Sequence, residues 1–256
     1  MESRELTVII VTFKSETRVI NCLRSISKNI SVIVVENSND KKFKSRIEEN
    51  FDNVSCILTG ENKGYAAANN IGLKLVKTKY ALVLNPDTIL NSQAIRNFSN
   101  TVNKVQDFWL IGPAVNQMVN LDFKKNNLIE VNNIKGFAIF FNISKFNQKF
   151  FDENFFLYFE EIDLCKDLKK RGGKIYLSKN IVIDHLGASS VKHSKNFELE
   201  KNRNWHWMWS TFYFHKKYKG FIIALLIILP KIFSSLIKIV YYQIIFNKEK
   251  RNLFMC

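Results

Sequence analysis

The stretch Leu6 to Asp40, LTVIIVTFKSETRVINCLRSISKNISVIVVENSND, decides the fold. Leu6 to Phe13 is a short β-branched run without polar alternation, the pattern of a parallel strand buried on both faces. Thr12 stands at its carboxyl end. From Ser15 to Ile26 the apolar residues Val19, Ile20, Leu23 and Ile26 are spaced for one face of a helix. Ser31 to Val35 is a second buried strand, running out into Glu36-Asn37-Ser38-Asn39-Asp40. Two such strands separated by a helix, each with polar residues at its carboxyl end, predict a βαβ unit with a ligand crevice along that edge.

The pattern then repeats. A weaker strand, Val54 to Leu58, leads to Gly60-Glu61-Asn62-Lys63-Gly64 and a helix over Tyr65 to Val76 that opens on small residues. Small side chains permit close backbone approach, and a helix N-terminus offers N–H groups to an anion. A tightly packed helix with no ligand fits the same residues. The spacing GENKGYAAANNIG is neither a Walker loop nor GxGxxG. Tyr80 to Leu84 is the next central strand, and it ends in Asn85-Pro86-Asp87-Thr88. An acidic residue held there by a proline turn is placed to ligate a hard cation against a diphosphate. Taken alone, Asn-Pro-Asp is only a turn; its position after three βα repeats favours the ligand. Asn91 to Val105 reads as a helix, Trp109 to Val115 as a strand, and Asn116 to Asn133 as an irregular polar connection. Val131 to Phe141 reads as a strand with Gly136 inside it, a sign of either a bulge or close approach of a ligand.

Phe155 to Ser190 concentrates the titratable groups. A helix over Glu160 to Lys170 puts Glu160, Asp163, Leu164, Asp167 and Leu168 at i, i+3, i+4 spacings. Acids in a first turn suit the helix dipole and need no further role. Here, however, Glu160 and Glu161 crowd beside Phe155, Phe156, Tyr158 and Phe159, and carboxyls near apolar walls become useful proton acceptors. Two short strands follow, Lys174 to Leu177 and Ile181 to Asp184, and then His185, with Gly187 to Ser190 as a flexible polar lip.

The net charge is +15, and 12 Lys and Arg against 3 Glu between Val191 and Cys256 carry +9 of it. A basic tail needs an acidic partner, nucleic acid or anionic membrane. Arg203 to Tyr218 alternates aromatic and basic residues, Phe221 to Leu229 is apolar but too short to span a bilayer, and Pro230-Lys231 breaks it. Ile232 to Phe246 continues apolar, with Lys238 seven residues after Lys231. The favoured reading is an in-plane amphipathic anchor on an anionic leaflet, ahead of a tilted spanning hairpin or a helix pair packed on the core. Charge alone suggests nucleic acid but gives Asp87, Glu161 and His185 nothing to do, so no nucleic-acid partner is expected. Cys22, Cys56, Cys165 and Cys256 are scattered and read as reduced structural thiols. The N-terminus passes straight into a strand pattern without a signal-peptide profile, so a cytoplasmic location is expected.

In this order the residues resemble a family 2 glycosyltransferase of the GT-A fold, closest to its rhamnosyltransferase-like branch. The resemblance runs from Thr7 to Tyr218 and rests on VIIVTF with VVENS, GENKGYAAANNIG, LNPDT, and YFEEIDLCKDLKKRGGKI ending in IDHLGASS. It implies that Thr12 and Glu36 line the nucleobase and ribose pocket, and that Asn62, Gly64 and Asn69 border the nucleotide-sugar cleft. Asp87 would hold Mg2+ or Mn2+ against the donor diphosphate, with His185 completing the metal shell. Glu161 would be the base, with Glu160 and Asp163 as its acidic surroundings. Glu161 and Glu36 each replace a usual aspartate, Asp167 a common arginine and Gly173 a common tryptophan.

The expectation is thus an α/β protein with a GT-A Rossmann-like, mixed but mainly parallel sheet flanked by helices. Residues 1–200 would form the catalytic domain and 201–256 a helical amphipathic extension. It would transfer a sugar with inversion, rhamnose from a dTDP donor, to a lipid-linked or polysaccharide acceptor at the inner face of the cytoplasmic membrane. Alternatives are a UDP-hexose donor, or a catalytically impaired membrane-associated protein that binds nucleotide-sugar.

Overall fold

In the computed structural model, residues 1–114, 127–185 and 197–255 are described. The opening βαβ reading is realised as β1 (Leu6–Thr12), α1 (Glu16–Ser25) and β2 (Ser31–Glu36), with β1 buried along its whole length. Then come α2 (Lys41–Asn50), β3 (Val54–Leu58), α3 (Gly64–Lys74), β4 (Tyr80–Leu84), β5 (Thr88–Ile89), α4 (Ser92–Lys104) and β6 (Leu110–Pro113). After them are β7 (Leu128–Glu130), β8 (Ala138–Asn142), α5 (Glu160–Lys170), β9 (Ile175–Ser178) and β10 (Asp184–His185). The helices α6 (Phe197–Lys219), α7 (Phe221–Ile244) and α8 (Lys248–Leu253) close the chain.

Eight strands form one sheet in the order β3-β2-β1-β4-β8-β6-β9-β7. The β3-β2-β1-β4 half is parallel; β8 is antiparallel to both its neighbours, β9 is parallel to β6, and β7 antiparallel to β9. One face carries a core of Val8, Ile10, Val19, Leu23, Val34 and Phe140, the other a core of Ile9, Ala66, Leu73, Val83, Ile139 and Phe141. Gly72 is what brings α3 close: a Cβ there would sit 2.7 Å from Ile9 Cγ2. The small-residue helix therefore has a packing reason as well as any ligand reason.

The chain divides into two compact units, Met1–Glu153 with Glu161–Ala188, and Asn154–Glu160 with Ser189–Cys256. The aromatic run before α5 thus groups with the C-terminal helices rather than with the sheet. Phe155 meets Tyr213 edge-on at 4.9 Å, Phe156 stacks on His206 at 4.1 Å, Phe159 lies against Phe214, and Ser210 Oγ donates to Leu157 O. Tyr158 and Phe159 are both left-handed, at φ 71° and 70°.

Several sequence expectations need correcting. Pro230 does not break the tail: α7 runs unbroken for 24 residues with Pro230 inside it. The proline removes one backbone bond, but the helix is held before it by Ala224 and Ile228, which are buried, and after it by Lys231 and Lys238 over the rings of Trp207 and Phe254. Gly136 is not inside a strand; it lies in the turn before β8. The polar connection carries an edge strand, β7. The helix α2, KKFKSRIEEN, escapes a periodicity reading because only Phe43 and Ile47 face the core. The Gly187 to Ser190 lip and Cys256 lie outside the described residues.

Candidate active site

The carboxyl ends of β1, β2 and β4 form one edge, and most of the expected donor-side residues sit there. Thr12 pairs in register with Glu36. Thr12 is 3% exposed and its Oγ1 has no hydrogen-bond partner among the described residues. Glu36 is equally buried, and its carboxylate accepts from Ser38 N (3.1 Å), Ser38 Oγ (2.8 Å) and Asp40 N (3.2 Å). Its longer side chain is folded back to build the loop.

Asn37, overlooked in the sequence, ties this loop to the start of α3. Its Nδ2 donates to Asn62 Oδ1 (2.9 Å) and Gly64 O (3.2 Å), while its Oδ1 accepts from Lys63 N and Thr59 Oγ1. Asn62 Oδ1 also accepts from Gly64 N at 3.1 Å. Gly64 has φ 81°, a conformation that excludes most side chains, so glycine is required at this turn. Of the adjacent asparagines, Asn70 is structural, bonded both ways to the Phe151 backbone. Asn69 is fully buried, its Nδ2 donates to Tyr65 O, and its Oδ1 is left without a partner among the described residues. A buried unpaired oxygen is costly unless a ligand satisfies it, and Thr12 and Asn69 supply two.

Beyond β4 the Asn-Pro-Asp turn is closed by Asn85 O, which accepts from Thr88 N and Thr88 Oγ1. β5 pairs antiparallel with β10, setting Thr88 opposite His185. This small ribbon brings Asp87 Oδ1 within 3.3 Å of His185 Nε2, with the side chains 14% and 35% exposed. Residues a hundred apart in sequence thus form one open pair. Among the described residues no three His, Cys, Asp or Glu side chains gather into a cage. A carboxylate suits Mg2+ or Mn2+, and an imidazole beside it favours the softer Mn2+ of the two, provided a substrate diphosphate and water fill the other positions. Phe137, a second residue without a signal in the sequence, stacks on the His185 ring at 4.7 Å and 13°.

At the start of α5, three neighbouring carboxyls separate by exposure. Glu160 and Asp163 are 7% and 2% exposed, whereas Glu161 is half-buried and keeps an opening to solvent. Burial pushes the Glu161 carboxyl above the usual carboxylate range, against the opposing pull of its own amide, the Lys135 charge and the Ile162 amide. Its side chain runs along Gly136, where an added Cβ would lie 3.5–3.6 Å from Cδ, Cβ and Cγ. Of the aromatics expected to wall it, Phe155, Phe156 and Phe159 pack on α6.

The departures from the family pattern further along α5 compensate one another. Arg171 pairs with Asp167 at 2.9 Å and lies 5.0 Å over the Trp109 ring. Trp109 in turn packs where a Cβ on Gly173 would come, 3.2 Å away. The cysteines are buried thiols held protonated by burial, Cys22 pushed up to about 11 and Cys56 and Cys165 to about 12, as a structural role requires.

Residues 7–165, more than half of the chain, match the profile described as Glycosyl transferase family 2. The chain belongs to that family. As a family 2 glycosyltransferase it is 26% identical over 218 residues to a low-salt glycan biosynthesis hexosyltransferase, Agl10, of Haloferax volcanii, covering 75% of this chain and 69% of the relative. It is 30% identical over 130 residues to a teichoic acid poly(glycerol phosphate) polymerase of Staphylococcus epidermidis, a match to 46% of this chain and 18% of that protein. The fold is shared with a Pyrobaculum calidifontis mannosyltransferase solved with GDP-Man and Mn2+, at TM-score 0.62, 12% identity and coverage of 86% and 68%. GalNAc-T7, solved with UDP, GalNAc and Mn2+, gives TM-score 0.61 at 11% identity, covering 84% of this chain and 52% of that one. The GT-A architecture expected from the sequence is therefore present.

Proposed function

We propose that this glycosyltransferase moves a hexose or deoxyhexose, with inversion, from a nucleoside diphosphate to a glycan or lipid-linked acceptor in surface-glycan assembly. The observation that carries the proposal is the Asp87–His185 pair at the donor edge, 3.3 Å apart and open to solvent. Asp87 and His185 would hold Mg2+ or Mn2+, which neutralises the charge developing on the departing diphosphate. Thr12 and Asn69 offer unpaired oxygens to donor hydroxyl or N–H groups, and Asn37 holds the loop that shapes the nucleotide cleft. Glu161 takes the proton from the acceptor hydroxyl as the new glycosidic bond forms and the bond to the leaving diphosphate breaks. One base and one displacement invert the anomeric carbon, and Glu160 and Asp163 remain buried surroundings.

Rhamnose from a dTDP donor follows from the rhamnosyltransferase-like motifs; the hexosyltransferase name of the Haloferax relative favours a hexose, with UDP as carrier. Displacement of a labelled nucleotide by dTDP and UDP separates them: the dTDP reading requires at least about tenfold tighter binding of dTDP, about 1.4 kcal/mol. Tighter binding of UDP transfers the assignment to the second reading.

The C-terminal unit carries a surface suited to a membrane. The 24 residues of α7 extend about 36 Å and are long and apolar enough to cross a membrane by length and composition. The helix is two-faced. Ala224 and Ile228 are buried and the two lysines pack over rings, whereas Ile222, Leu226, Phe233, Val240 and Ile244 are 58–72% exposed. Lys216, Lys217 and Lys219 precede it, and Lys248, Lys250 and Arg251 follow. An apolar outer face bracketed by cations fits a helix lying in an anionic leaflet at the cytoplasmic surface. Vesicles containing phosphatidylglycerol are expected to sediment the protein, and Leu226→Asp with Phe233→Asp to release it. Release of the bound protein by alkaline carbonate distinguishes an in-plane helix from a spanning one, which stays with the lipid.

A further inference from the structure

We propose that Lys135-Gly136-Phe137 is the positioning segment of the enzyme, fixing the separation between Glu161 and the Asp87–His185 pair, with the bare backbone at Gly136 allowing a glutamate to serve as base. The proposal rests on the roles given above to Glu161, Asp87 and His185.

Gly136 and Phe137 touch separate parts of the machinery, and Lys135 adds a charge. Lys135 places its charge where it acts on the Glu161 carboxylate. Gly136 lies along the Glu161 side chain, and its carbonyl accepts from Tyr65 Oη at 2.8 Å, joining it to α3 at the nucleotide cleft. Phe137 stacks on His185, and its carbonyl accepts from Asn85 N at 2.8 Å, joining it to the turn that carries Asp87. Ala138 then pairs with Leu84, the last residue of β4. The residue against the base and the residue against the metal-side imidazole are therefore one peptide apart, about 3.8 Å between Cα atoms. Phe137 is pinned to the turn after β4 that carries Asp87, and Gly136 to α3.

Gly136 is not in the left-handed region, so conformational freedom does not explain a glycine there. Nor does crowding, because 3.5–3.6 Å is ordinary contact. What the glycine supplies is room beside a side chain one methylene longer than aspartate. A methyl group at 136 would touch Glu161 along its length and narrow the positions its carboxylate can reach.

The test is steady-state kinetics of the full-length protein carrying Gly136→Ala, Glu161→Asp, both, or Glu161→Gln. For Gly136→Ala we expect kcat to fall about 3- to 10-fold, because a methyl in ordinary contact narrows the reach of the carboxylate without displacing it. Donor KM, the Mn2+ activation constant and the nucleotide-induced rise in Tm should stay at wild-type values. The two substitutions should be non-additive: the loss in the double variant should be at least about threefold smaller than the product of the two single losses, because aspartate lacks the atoms that the methyl restricts. A wild-type kcat in Gly136→Ala, a loss that falls on donor KM or nucleotide protection, or two single losses that simply multiply in the double variant overturns the proposal. Full turnover in Glu161→Gln removes the base itself, whereas an inactive Glu161→Gln beside a fully active Gly136→Ala removes only the positioning role.

Discussion

Glu161→Gln is expected to lower turnover about 10²- to 10⁴-fold, the range that a positioned proton acceptor contributes, with donor KM little changed. Glutamine keeps the shape and loses the acceptor. Because burial raises this carboxyl above its ordinary range, the acid limb of the kcat profile should lie above that of an exposed glutamate. The same shift has a consequence for stability. A carboxyl whose folded pKa is raised stabilises the fold while it is protonated, and this contribution fades as pH rises from its unfolded value through its folded one. The ionised form of half-buried Glu161 is therefore a liability, and at pH above its folded pKa Glu161→Gln should unfold at an equal or higher temperature, by about 2 °C. A variant that is inactive and also less stable than wild type at pH 7 would point to a structural role. Calorimetry beside a product assay distinguishes the two.

Asp87→Ala is expected to remove metal-dependent transfer altogether, a loss of at least about 10³-fold if metal and carboxylate together supply several kcal/mol. Asp87 stands on an open turn closed by Asn85 and Thr88, so truncating it takes nothing from the core. Normal secondary structure should therefore accompany the loss. Nucleoside diphosphate should still bind in the absence of Mn2+, through the cleft lined by Thr12 and Asn69, while the Mn2+-dependent gain in affinity disappears. Isothermal titration of UDP or dTDP with and without Mn2+ reads both quantities. A retained Mn2+ gain would displace Asp87 from the metal role.

Much of this was legible in the chain because buried parallel strands advertise themselves. LTVIIVTF, SVIVV and YALVL are uninterrupted apolar runs, and each ends in polar residues at the edge where α/β sheets bind ligands. Glu36 and Asp87 could be located in this way. The pairing of Asp87 with His185 follows from the β5–β10 ribbon, two strands of two residues each, too short to leave a periodic trace. Phe137 and Asn37 were hidden for a different reason. A phenylalanine before a strand looks like core, and an asparagine in a turn looks like a turn. Only the partners, His185 in one case and Asn62, Lys63 and Gly64 in the other, give them away. Pro230 misled because a proline reads as a helix stop, whereas packing of both flanking segments carries the helix through it.

The assignment of Asn154–Glu160 to the C-terminal unit bears on how this enzyme can be handled in the laboratory. An apolar tail invites deletion to improve solubility, with a cut ahead of α6. Such a cut would remove Tyr213, His206 and Phe214, the rings that cover Phe155, Phe156 and Phe159, and leave fresh aromatic surface behind. It would also release Tyr158 and Phe159, whose left-handed backbone costs about 1–3 kcal/mol each and persists only under the constraint of its neighbours. Those two residues lead directly into Glu160 and Glu161. Trimming is better begun at α7, where the exposed apolar face starts, so that the helix clasping the approach to the base is spared.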